Sequence, residues 1–497
     1  MFIGIDLGTS SIKTILVDEN QKTIGSATHS IELLNPESGF FEQNPDSWFA
    51  ATLKCFGKLK NDFPKEYRAT QSIGISGQMH GATLIDKNNS VLRPCILWND
   101  TRSMSQCIEM EEKYPLLHEV SGNLAMPGFT APKILWIQKN ELDIFNQIHK
   151  VLLPKDYLRF KLTGSYFTDM SDASGTLWLD IKKRQWSEDL LNLTGLNLSH
   201  MPELVEGSDP TDTLSSKLKD DLDFEKDIIV AGGAGDQAAG AMGSGVIDPN
   251  QSMISLGTSG VYFSPTNKFS SNTRQAVHSF CHCLPNTWHY MSVMLSATNC
   301  LNWIGHLYGF EAIDVINKAK NFFNENFTSN TTPFFLPYLS GERTPYNNPY
   351  LRGSFHMLST STNIDSMFYA VIEGISFGIK DGFEAVHSVS PKSENIYIIG
   401  GGSKSDFWVE LMASVLNQRI IVGKDSDLGP ALGVARLAML ATKKYKKSEI
   451  IKNIKTVREC FPSNKLSDQL QNRYQVWKEI VSVNEPIAKN VMDKKYE

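Results

Sequence analysis

Two short turns in this chain carry the residue types that hold phosphate oxygens. Leu7-Gly8-Thr9-Ser10 and Leu256-Gly257-Thr258-Ser259 repeat one tetrapeptide about half a chain apart. Each sits between two apolar runs, the pattern of a β-hairpin. Small Gly, Thr and Ser residues leave backbone N–H groups and hydroxyls open to an anion. Ordinary tight hairpins would look similar one at a time; the duplication favours two lobes around a polyphosphate. Thr9, Ser10 and Lys13 on one side and Gly257 and Thr258 on the other are the candidate contacts. The copies differ in one chemical respect, because Asp6 of the first is Ser255 in the second. Only the first copy brings a carboxylate to the turn, where it can hold Mg²⁺ or cap the turn itself.

Phosphoryl transfer needs a phosphate cradle, a metal carboxylate, a base for the acceptor hydroxyl and exclusion of water. Asp236 is the candidate base. It is the one acid in the small-residue run Gly232–Ala241, which follows the buried-strand pattern Ile228–Ala231. Open α/β sheets bind ligands at such strand ends, and a helix N-cap role is compatible with the same position. Met79-His80, in a loop bounded by Gly77 and Gly81, offers an apolar contact and a neutral donor or acceptor for a ligand. Trp98–Arg102 places further polar groups at a strand end, with Asp100 and Arg102 read as a structural pair. Glu342-Arg343 is placed on the nucleotide side. The strand–glycine turn–helix at Ile396–Leu416 has a helix N-terminus that favours negative charge.

The elements that must position these residues alternate between strand and helix, which indicates an α/β architecture. A helix is expected from about Trp48, helices dominate from Ser103 to about Gly195 around a strand at 148–153, and Lys443–Lys447 reads as a solvated connection. At 497 residues the chain exceeds one core. The boundary falls near Gly245–Pro249, giving domains 1–245 and 246–497. A net charge of −6 argues against nucleic acid or an anionic membrane as partner. Neither a signal peptide nor a membrane span is evident. Seven scattered cysteines suit a reducing cytoplasm. His278–Cys283 lacks a second ligand pair at zinc spacing and reads as a buried strand.

Several stretches together resemble the FGGY family of carbohydrate kinases, within the superfamily that includes actin. They include Ile5–Ser10, Gly77–Ala82, Leu97–Asp100, Met126–Lys133, Leu153–Leu158, Ser171–Thr176, Ser255–Gly260 and Leu339–Pro345. The Gln78-Met79-His80-Gly81 loop points to the xylulokinase branch, since glycerol kinases carry Arg-Glu there. The resemblance implies two ribonuclease-H-like α/β domains with the active site in the cleft between them. It implies ATP-dependent phosphorylation of D-xylulose, with Asp236 as base, Met79 and His80 on the sugar, and Asp6 on Mg²⁺. Gly257, Thr258, Gly401, Gly402 and Ser405 are then expected to hold ATP, and a homodimer is implied by the resemblance alone. Gln237 departs from the branch, where Asn is usual after the aspartate; its longer amide can still reach a sugar hydroxyl. Another sugar or polyol kinase of the family, acting on ribulose, glycerol or a deoxy sugar, is the alternative. An actin-like or chaperone-like ATP-driven binding protein is a more distant one.

Overall fold

The computed structural model describes residues 1–328, 331–423, 429–451 and 456–493. Two mixed sheets, each of seven strands, organise these residues. In the first, Phe2–Leu7 pairs antiparallel with Ser11–Val17, which pairs with Thr23–Ser30. On its other side Phe2–Leu7 runs parallel to Ser72–Gly77, followed by Ile229–Ala231 and the short Ala234–Gly235. The second sheet repeats this order. Gln251–Leu256 pairs antiparallel with Gly260–Thr266 and parallel with Asn395–Ile399, which neighbours Ile420–Gly423.

The central strands Phe2–Leu7 and Ser72–Gly77 are buried on both faces because packed elements cover both faces, whereas the outer strand Thr23–Ser30 is largely polar. Phe2, Ile3, Ile5 and Leu7 are all fully buried. The helix Pro45–Asp62 starts where the sequence signals a start, with Asn44 capping the N–H of Asp46 and proline at the first position. The stretch from Ser103 to Gly195 is less helical than expected. Short strands at Phe167–Asp169, Leu179–Asp180 and Gln185–Trp186 interrupt it, and two- or three-residue strands leave no readable periodicity.

The halves are joined more tightly than a boundary near residue 245 suggests. The helix Gly429–Ala441, late in the chain, packs against the first strand and Ser72–Gly77 of the first sheet and against the helix Asp236–Ser244. A Cβ on Gly74 would lie 1.9 Å from the carbonyl oxygen of Val434, and one on Gly433 would lie 1.8 Å from that of Ala239. The absent side chains let backbone rest on backbone. Arg436, 4% exposed, donates to the carbonyls of Met242 (2.8 Å) and Gly243 (2.7 Å). It thereby supplies a cation to the C-terminal end of the helix that Asp236 begins. The lysine run is solvent-exposed, as expected, and from there it reaches the first half: Lys443 pairs with Asp209 at 3.0 Å and Lys444 donates to the side-chain oxygen of Gln71 at 2.8 Å.

His278–Cys281 is a buried strand, as read from the sequence, and among the described residues no group of three or more metal-ligating side chains forms. Burial holds His278, His282 and His289 neutral, and it depresses His282 from its ordinary 6.5 to about 3.

Two outcomes follow from this packing. Gly433→Ala should destabilise the protein by roughly 1–3 kcal/mol through overpacking, read as a lowered Tm. Between pH 6.5 and about 3 the unfolded His282 binds a proton that the folded one refuses, so stability must fall as pH falls. For this one residue the loss at pH 5 is about 2 kcal/mol, and His282→Gln should flatten the slope of Tm against pH over that window.

Candidate active site

Register assembles the site. Asp6 pairs with Ser76 across one strand boundary and Ser76 with Ala234 across the next. Asp6, the loop after Gly77 and Asp236 therefore emerge at one edge of the first sheet, at the strand ends where α/β folds bind ligands. Asp236 is the first residue of its helix; Gly235, and not Asp236, occupies the N-cap position. Its carboxylate accepts from the N–H of Gln237 at 2.7 Å, and the Gln237 side chain also stabilises the charged form. Burial, and then the nearby Asp6, still raise the Asp236 carboxyl to about 7. Burial raises Asp6 too, against a hydrogen bond from the Ser76 hydroxyl (2.8 Å) and the charge of Lys13.

Two neighbouring carboxylates that each keep an edge open to solvent suit a divalent cation, which would relieve their repulsion. With no protein cage of three ligands among the described residues, such a site fits Mg²⁺, which keeps waters and phosphate oxygens in its shell.

The Gln78–Gly81 loop is shaped by its hydrogen bonds. His80 adopts a left-handed backbone, φ 69°, and its carbonyl accepts from Thr130 at 3.1 Å and Lys133 at 2.9 Å. Nδ1 of His80 lies 2.7 Å from the carbonyl oxygen of Gly175. A carbonyl can only accept, so Nδ1 carries the proton and Nε2 is left as an acceptor. Burial depresses His80 to about 3, which keeps the ring neutral. Met79 packs against Gly235, one residue before Asp236. Met79, His80 and Asp236 are thus brought together as the sequence suggested.

Thr9 has a different environment from the one expected. Its hydroxyl accepts from the Trp98 indole N–H at 3.0 Å and donates to Gln78 at 3.2 Å, tying the first hairpin to the loops beside it. Ser10 is exposed at the tip, and Lys13 stands opposite Asp6. Arg102 forks onto the fully buried Asp100 (2.7–3.0 Å), the structural pair read from the sequence.

At the edge of the second sheet, Ser255 pairs with Ile399, so the Gly257-Thr258 turn and the Gly400–Gly402 turn are neighbours. The helix Thr298–Tyr308 begins at the same place. Thr298 donates its N–H (3.0 Å) and its hydroxyl (2.8 Å) to Gly257, and Ala297 donates to Thr258 (2.9 Å). Nothing in the sequence signals this helix N-terminus beside the turn; its first N–H groups are spent on the carbonyls of Gly257 and Thr258, so it braces the hairpin. Gly401 is exposed with open space around it, whereas Gly402 is packed against Leu256 and Trp408. The Ser405 hydroxyl caps the following helix through the N–H of Trp408 at 3.2 Å.

Arg343 lies on the other side of the site from where the sequence reading put it. Its guanidinium is 3.5 Å from Nε2 of His278 and its charge acts on both His278 and His80. His80 packs edge-on to Phe129 (4.7 Å), which meets His278 at 5.6 Å. Arg343 therefore stands with the Met79–His80 loop, carried there from the second half of the chain. Glu342 turns away from it and accepts two backbone N–H groups, from Leu295 and Arg343.

Residues 1–243 match the N-terminal domain of the FGGY family of carbohydrate kinases and residues 252–442 its C-terminal domain. The chain belongs to this family. It is a phosphotransferase that uses an alcohol acceptor. It is 44% identical to the xylulose kinase of Escherichia coli K12 over 441 residues, 89% of this chain and 90% of that one. It is also 44% identical to the xylulose kinase of Klebsiella pneumoniae, with the same coverage. Among solved structures it resembles a xyloylose kinase from Brucella ovis, with a TM-score of 0.93, 42% identity, and 97% and 99% of the two chains covered. Among the described residues no helix of the kinase is long and apolar enough to cross a membrane.

Replacing Arg343 with Met should raise the KM for the sugar several-fold and leave the KM for ATP nearly unchanged. Initial-rate kinetics with each substrate varied in turn will read this.

Proposed function

We propose that this kinase phosphorylates D-xylulose at its terminal hydroxyl, giving D-xylulose 5-phosphate and ADP. What carries the reading is the joint placement of Asp236 and the Met79–His80 loop at one strand edge, in a chain 44% identical to two xylulose kinases over nine-tenths of its length. Met79 and the neutral His80 hold the sugar, His80 accepting a hydroxyl proton at Nε2. Gln237 reaches a further hydroxyl, and Arg343 donates from the second half.

Asp236 takes the proton of the terminal hydroxyl as that oxygen forms its bond to the γ-phosphorus and the bond to the ADP oxygen breaks. A carboxyl near 7 is poised for this, since it can both accept and release a proton at neutral pH. ATP supplies the phosphoryl group, and Mg²⁺ at Asp6 would offset negative charge on it. Ser10 and Lys13 from the first half, with Thr9 shaping the turn because its hydroxyl is spent on Trp98 and Gln78, and Gly257, Thr258, Gly401, Gly402 and Ser405 from the second, form the phosphate and nucleotide seat. Gly402 and Ser405 serve it by shaping the turn and starting the helix, since one is packed inside and the other is spent as a cap. Residues 1–245 and 246–497 act as lobes that close over the sugar and exclude water. We place the enzyme in the cytoplasm, with a homodimer as its assembly.

A panel of ketoses and polyols in an ADP-release assay tests the acceptor. D-xylulose should give the highest kcat/KM. A higher value with ribulose, glycerol or a deoxy sugar would overturn the assignment.

A further inference from the structure

Behind the site lies a group of five charged residues, all fully buried. The helix Pro154–Thr163 contributes Lys155, Asp156 and Arg159, and the next turns contribute Asp169 and Asp172. The Lys155 ammonium lies 2.5 Å from Asp156, 2.8 Å from Asp169 and 3.3 Å from Asp172, and Arg159 lies 2.8 Å from Asp156. Burying such a group is a poor route to stability, because well-packed apolar residues usually do as well or better. Its connections suggest a different purpose.

The group grips both ends of the glycine run that delivers Asp236. Arg159 donates to the carbonyl of Gly232 at one end. At the other, the N–H of Gly235 donates to the hydroxyl of Ser171 at 3.1 Å. That hydroxyl in turn donates to Asp169 at 2.5 Å, and Asp169 is paired with Lys155. Ser171 is 1% exposed, so no water competes for these bonds. The same short segment reaches the sugar side four residues later, where the Gly175 carbonyl fixes Nδ1 of His80. It also reaches the second half of the chain, where the Ser174 hydroxyl accepts from the N–H of Cys281 at 3.0 Å.

We propose that Ser171, held by the Lys155–Asp169 pair, is a positioning residue that sets the place of Asp236 relative to the sugar held by His80. Ser171 touches neither substrate. It acts through the Gly235 peptide, whose N–H it orients immediately before the base. The proposal rests on Asp236 being the base. Displacement of a reacting group by a fraction of an ångström to one ångström costs rate far more than it costs binding.

Ser171→Ala removes the acceptor of the Gly235 N–H and leaves the five charges in place. It should lower kcat roughly tenfold or more, with the KM values for D-xylulose and ATP within about twofold of wild type and a cooperative melt retained. Ser171→Thr, which keeps the hydroxyl, should recover most of the lost kcat. Asp236→Asn, measured alongside, separates the two claims. An inactive Asp236→Asn with a folded, fully active Ser171→Ala would overturn the positioning role and spare the base. Wild-type turnover in Asp236→Asn would overturn both. A Ser171→Ala enzyme whose sugar KM rises while kcat holds, or whose loss Ser171→Thr does not repair, would also overturn the proposal.

Discussion

The fold depends on backbone approaching backbone at the seam between its halves. The helix Gly429–Ala441 lies so close to the first sheet that Gly74 meets the carbonyl of Val434, and so close to Asp236–Ser244 that Gly433 meets the carbonyl of Ala239. At such distances a single methyl group has no room, and the interior transmits the displacement, because cores are close-packed. The helix that starts with Asp236 is therefore located by a helix from the second half of the chain. Its far end is fixed by Arg436 from that same helix.

Electrostatics at the site follow from this enclosure. Low dielectric raises Asp6 and Asp236 together, and each makes the other's charge more costly. The same enclosure keeps the histidine wall neutral, so the ring of His80 has a defined tautomer and offers a lone pair. Arg343 brings a cation to that wall, from a segment more than 200 residues away in sequence from His80. Two buried acids with Lys13 as the cation beside Asp6 sit where a metal suits them, and the wall of neutral imidazoles suits a neutral polyol.

Much of this was legible without coordinates. The repeated Leu-Gly-Thr-Ser hairpin marks equivalent positions in two sheets of like order, and the acid present in only one copy marks the sheet edge that Asp236 shares. Asp236 was legible because a lone acid among glycines and alanines has few structural uses. What stayed hidden depends on contacts between distant segments. Arg343 was read onto the nucleotide side because its neighbours in sequence say nothing of His278. Lys155, Asp169 and Ser171 belong to stretches that carry the family resemblance, yet their role shows only when Gly232 and Gly235 lie against them. The short strands at 167–186 are set by pairing with remote partners, which local periodicity does not encode.

By itself the sequence determined the α/β architecture, the duplication, the family and the chemistry of the acid pair, since these rest on residue type and local pattern. Only the tertiary structure decided which hydroxyls are open to a ligand and which are spent, as the Thr9 and Ser405 hydroxyls are in hydrogen bonds. It also decided that Arg343, from the second half, stands beside the Met79–His80 loop, and that Ser171 and Arg159 hold the segment before Asp236. The physical reason is the same in each case. A side chain's donors, charge and proton affinity are set by whatever is packed around it, and for Thr9, His80 and Asp236 those neighbours include segments remote in sequence.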